Sequence, residues 1–162
     1  MYLMIRQDFR QLVHDVQKVQ RALEKLEQDH EVWAREREQD DLMQLIKYVN
    51  RLESDVCMMQ SNCMSMCLRY QEDGSWLALD SLHRVYATLN ILFDDLEKVR
   101  TELKEAYIYS HDLKQLEIDW GRCRKSVNQI RKYIQDGKNI LKAKKVLPSS
   151  DERKNVWFST AQ

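Results

Sequence analysis

Residues 5–33 read IRQDFRQLVHDVQKVQRALEKLEQDHEVW, and this stretch decides the fold. Ile5, Phe9, Leu12, Val16, Val19, Leu23 and Leu26 recur at alternating spacings of four and three, and His30 and Trp33 continue the series. On a helix of 3.6 residues per turn, that spacing puts every one of these side chains on one face. Glu36 to Asp41 carries no apolar residue, and a second run then restarts out of phase: Leu42, Leu45, Val49, Leu52, Val56, Met59, Cys63, Met66 and Tyr70. Asp41, with Gln44 three residues later, reads as an N-cap and its capping-box partner. The spacing therefore predicts helices over about 4–36 and 41–71.

Gly74 and Ser75 follow in Gln71-Glu72-Asp73-Gly74-Ser75, where glycine can close one helix and serine can cap the next. A third run, Leu82, Val85, Leu89, Leu92, Leu96, Val99, Leu103 and Ala106, predicts a helix over about 75–109. Asp112 and Gln115 repeat the capping pattern, and Leu113, Leu116, Trp120, Cys123, Val127, Ile130 and Ile134 predict a fourth helix over about 112–136. Gly137 is expected to end or bend it, leaving a short extension. Pro148 and two serines mark a break before a tail, 148–162, in which Val156, Trp157 and Phe158 stand as a candidate docking segment. Residues 1–147 thus read as a single helical domain.

Two all-α architectures fit four such runs. One is an antiparallel up-down-up-down four-helix bundle. The other is one long antiparallel helical hairpin, a coiled coil turning at Gly74. Both phase breaks carry a cap, and the jump from Trp33 to Leu42 is too large for a simple stutter, which favours the bundle. Composition agrees with either. The chain has 162 residues, with three glycines and one proline. Average usage would supply about eleven and about eight. Turn-rich sheets and glycine phosphate loops need glycines that this chain lacks.

Candidate chemistry is sparse. Glu27-Gln28-Asp29-His30 has the spacing of a di-iron bundle motif, but the second copy is missing, because His83 follows a core leucine and faces outward. The segment 57–67 concentrates Cys57, Cys63 and Cys67 among methionines, a soft set that could suit copper(I) but that also fills irregular cores. Core packing is the simpler account of the cysteines and of Trp33 and Trp120. No nucleophile-elbow spacing occurs and the histidines are scattered, so no catalytic, cofactor-binding or metal-ligating residue is assigned and the chain is not expected to be an enzyme.

Charge is more informative in its distribution than in its total, which is zero. Residues 71–119 carry 5 basic and 11 acidic groups, whereas residues 120–145 carry 9 basic groups against Asp136 alone. Arg122, Arg124, Lys125, Arg131, Lys132, Lys138, Lys142, Lys144 and Lys145 form the candidate surface for an anionic partner. Arg124, Arg131, Lys138 and Lys145 repeat every seven residues in a stripe. If antiparallel neighbours pair e with e, the third helix offers this stripe Tyr86, Phe93 and Arg100, and no acid. Part of the stripe is then expected to stay free.

Apolar residues beyond the core seam, such as Met43, Met58, Met64 and Leu68, need a further surface to pack on. The functional expectation is a non-enzymatic helical interaction or structural module, a subunit of a larger assembly or a homo-oligomer. The alternative is a nucleic-acid-associated protein using the basic stripe of residues 122–145. Five apolar residues before Arg6 are too few for a signal-peptide core, and no transmembrane stretch is present. An intracellular protein, cytoplasmic or nuclear, with reduced cysteines is expected.

Overall fold

A computed structural model describes residues 2–36, 38–72, 78–108 and 114–146, with side chains over 7–36, 38–72, 78–106 and 114–143. Four helices account for almost all of these: α1 (Tyr2–Glu36), α2 (Gln39–Glu72), α3 (Leu79–Ile108) and α4 (Lys114–Val146). Each packs on its sequence neighbour and α1 also packs on α4, while the diagonal pairs α1/α3 and α2/α4 do not meet. This is the square up-down-up-down bundle. A single long hairpin would leave α1 without contact to α2, and α3 without contact to α4. Both pairs are packed.

The heptad residues build one continuous core. Along α3, Leu82, Val85, Leu89, Leu92, Leu96, Val99 and Leu103 are all fully buried. The seams of α1 (Phe9 to Trp33), α2 (Leu42 to Tyr70) and α4 (Leu116 to Leu141) close on them from the other corners. Burying one such leucine is worth about 1.5–3 kcal/mol, so apolar burial dominates the stability of the bundle.

Three boundary expectations are corrected. Asp41 is not the N-cap of α2, which starts at Gln39. Leu42 donates its N–H to the Glu38 carbonyl at 3.2 Å, and Asp40 and Asp41 sit inside the first turn. There they favour the positive end of the helix dipole. The third helix starts at Leu79, not near 75, after Ala78 in the left-handed region (φ 62°), whose carbonyl accepts from Leu82 at 3.2 Å. Gly74, Ser75 and Asp112 lie outside the described residues, as do Leu147 and the whole tail, 148–162.

The third correction concerns Gly137, which does not end α4. The helix runs through it to Val146. Gly137 is buried on the core side, and a Cβ there would overlap the ring of Phe9. Glycine is needed because the Phe9 ring fills that space, not because the chain turns. Among the described residues no helix is long and apolar enough to cross a membrane.

Candidate functional site

The closed square fixes which flanking positions meet. Around each helix the core residues occupy a and d, with e and g on opposite shoulders. Glu53 of α2 accepts from Arg100 of α3 at 2.7 Å, an e-to-e contact. Glu27 of α1 accepts from Arg124 of α4 at 2.6 Å, again e to e. Asp8 of α1 accepts from Arg69 and Tyr70 of α2, Arg69 at 2.6 Å and from a g position. The α3/α4 seam is likewise g to g. A helix in this bundle shows e to one neighbour and g to the other, so the e stripe of α4 faces α1 and not α3.

That geometry corrects the pairing expected for the basic stripe. The residues opposite it are Val13, Gln20, Glu27 and Ala34 of α1, spaced by seven. Their single acid, Glu27, takes Arg124. Half-buried between helices, the Glu27 carboxyl is pushed above its usual range by desolvation, which outweighs the hydrogen bond and charge of Arg124. By the same register Arg131 stands opposite Gln20, and Lys138 opposite Val13. Arg122 leaves the candidate surface too, because its guanidinium lies 3.3 Å from the buried carboxylate of Asp119. Lys125, Arg131, Lys132 and Lys142 are exposed and Lys138 is half-buried, and none has an acid within salt-bridge distance among the described residues. An open groove lined by Arg124, Lys125, Asn128 and Lys132 runs along this part of α4. The side chains of Lys144 and Lys145, with Val156, Trp157 and Phe158, lie outside the described residues.

His30 is buried in an aromatic cluster, its ring 6.0 Å from Trp33 and 5.9 Å from Trp120. Beside it an open cleft of about 420 Å³ runs between α1 and α4, rimmed by Glu27, Glu31, Arg35, Glu117 and Arg124. Among the described residues no group of three or more His, Cys, Asp or Glu could hold a metal ion. All four cysteines are free thiols. Cys63 donates to the Leu82 carbonyl at 3.4 Å, and hydrogen bonding with Cys67 and then burial push its thiol above the usual range. Cys123 is raised chiefly by burial and further by Asp95, Asp119 and Glu27. Both thiols stay protonated at neutral pH and are poor nucleophiles.

One cluster escaped the sequence reading. On the g shoulders of α3 and α4, Glu102 meets Asp119, a pair of acids in one layer. Burial, then the hydrogen bond and charge of Asp119, push the Glu102 carboxyl up to about 8. It therefore holds a proton at neutral pH, and Asp119 accepts from Gln115 and Arg122, each at 3.3 Å. The signal was present in Glu102 on a g position of α3, facing Asp119 on a g position of α4. It becomes visible once g is assigned to that seam.

No family model matches the chain, and comparison with curated proteins and with solved structures yields no match either.

Proposed function

We propose that the chain is a non-enzymatic helical building block that works by contact with other protein surfaces, first of all a second copy of itself. The supporting observation is the outer side of α2. Met58 is 68% exposed and Leu68 56%, with Met43 and Met64 also exposed on the same side of the helix. Isolated exposed apolar residues are ordinary, but four on the outer positions of one helix form a surface that association would cover. Ile91 and Ile118, about half exposed, add to this on α3 and α4. The tail residues Val156, Trp157 and Phe158 offer a further apolar contact. Free thiols support a reducing intracellular compartment, cytoplasmic or nuclear.

Sedimentation equilibrium tests the proposal. The expected mass exceeds the 19.5 kDa of one chain and falls to it in Met58→Lys with Leu68→Lys, whose side chains contribute little to the core. A 19.5 kDa species at every concentration would overturn self-association. A second reading is an anionic partner held by α4. What favours it specifically is the set of cations from Lys125 to Lys142, none of which has an acid within salt-bridge distance among the described residues.

A further inference from the structure

The free cations of α4 do not stand alone, because the bundle sets α1 beside them. On the α4-facing shoulder and outer positions of α1, between residues 7 and 23, the charged residues are Arg10, Lys18 and Arg21, all basic, with Lys18 furthest from α4. The acids of that stretch, Asp8 and Asp15, sit on the opposite shoulder towards α2, where Asp8 is held by Arg69. On α4, Asp136 lies on the α3 side. The result is a surface two helices wide carrying Arg10, Arg21, Lys125, Arg131, Lys132 and Lys138, bounded by Glu24, Glu27 and Glu31 at one end. From Lys125 to Lys142 it runs about 26 Å at 1.5 Å per residue.

We infer that this α1/α4 face binds the phosphate backbone of a nucleic acid, without reading its sequence. The inference rests on the second reading above, an anionic partner on α4, and names that partner's class. Three features of the face choose among polyanions. Among the described residues, the large apolar side chains exposed on the bundle include none on α1 between residues 7 and 23 and none on α4 between Lys125 and Lys138; Val13, opposite Lys138, is partly buried, and Ile140 lies on the shoulder towards α3. A lipid surface is bound by helices that add inserted apolar or aromatic residues to their charge, and an acidic partner helix needs an apolar seam to pack against. This face offers neither. Between its cations stand amides instead: Gln17 and Gln20 on α1, Asn128, Gln135 and Asn139 on α4. Arginine and lysine interleaved with amide donors are the side chains that contact phosphate and sugar. Among the described residues the face consists of two helices lying side by side, with no element projecting from it to read bases, so the binding is carried by charge and counterion release.

The test uses the full chain and a fluorescently labelled 20-base-pair duplex of arbitrary sequence, followed by anisotropy from 50 to 200 mM salt. Five or six neutralised phosphates predict a slope of about −5 in log K against log salt, a loss of several hundredfold to a thousandfold over that range. Lys125→Glu with Lys132→Glu, both exposed and outside the core, should weaken binding at least tenfold and lower the slope by about two. Lys47→Glu, exposed on α2, should change neither. An unchanged affinity in the Lys125/Lys132 variant would overturn the assignment. So would binding of polyglutamate or phosphatidylserine vesicles but not of the duplex, which leaves the anionic-partner reading standing. Failure to bind all three at 50 mM salt overturns both.

Discussion

Helices α1 and α3 occupy equivalent corners of one square, each touching two neighbours, yet they are buried to different depths. The seven core residues of α3 from Leu82 to Leu103 have no exposed surface, and its shoulders are filled as well. Tyr86 and Phe93 pack towards α2, while Ser81, Thr88 and Asp95 are buried towards α4. In α1 the core side chains retain 1–4% exposure, and the shoulders carry Gln20, Glu27, Asp8, Asp15 and Asp29, none of them fully buried. The narrow stripe of α1 makes a seam. The wider one of α3 makes a spine. What α1 leaves uncovered becomes surface, and the basic α1/α4 face is part of it.

Truncation should expose that difference most strongly. Leu92→Ala on α3 removes a side chain closed in on every side and is expected to cost about 3–5 kcal/mol. Leu12→Ala on α1, where the neighbouring helices approach less extensively, is expected to cost about 2–3 kcal/mol. Urea unfolding measures both, and equal losses would put the two helices on the same footing. At Phe9 against Gly137, α1 presses tightly on α4. Gly137→Ala forces that ring to move and should destabilise by about 1–3 kcal/mol despite the better helix propensity of alanine. Gly121, on the same helix, has open space where a methyl group would stand, with the Arg124 guanidinium at an ordinary contact distance of 3.7 Å. There alanine should stabilise by up to about 1 kcal/mol.

Smaller and pH-dependent is the effect at the acid pair of α3 and α4. The Glu102 carboxyl titrates near 8 in the folded chain and in the ordinary carboxylate range when unfolded, so the native state holds the extra proton. Its contribution is present below the unfolded value and is lost as pH rises towards and through 8. Glu102→Gln should match the wild type near pH 4 and exceed it near pH 9 by on the order of 1 kcal/mol, since solvent screens part of the linkage. Thermal melts across that range check the sign. Smallest of all is the Glu27–Arg124 pair, half in solvent, whose loss in Glu27→Gln should cost less than about 1 kcal/mol.

The helices and their cores were legible because a strict heptad makes burial periodic. Phe9 through Trp33, and the corresponding runs of the other three helices, are buried in the structure as their spacing requires. The ends were less legible, since Asp41 with Gln44 has the capping-box pattern, yet the helix begins at Gln39 and the Leu42 N–H reaches back to Glu38. Gly137 misled because a glycine lacking a Cβ reads as a breaker whether it frees the backbone or admits a neighbouring ring. The candidate surface was half legible. Its cations were visible in the run from Arg122 to Lys145, but which helix stood opposite depended on the square arrangement, and so did the fate of Arg124, whereas Arg122 is taken by Asp119 three residues earlier on its own helix. The contribution of Arg10 and Arg21 has no local signal at all, because it arises from setting two distant segments side by side.

Two outer surfaces carry the two proposals, the apolar one on α2 that of protein contact and the basic one on α1/α4 that of phosphate binding. Sedimentation velocity with labelled duplex tests that separation in one measurement. Met58→Lys with Leu68→Lys should reduce the free protein to the monomer while duplex binding persists, and Lys125→Glu with Lys132→Glu should abolish co-sedimentation while the assembled mass persists. Loss of both properties in either variant, or of neither in both, would contradict it.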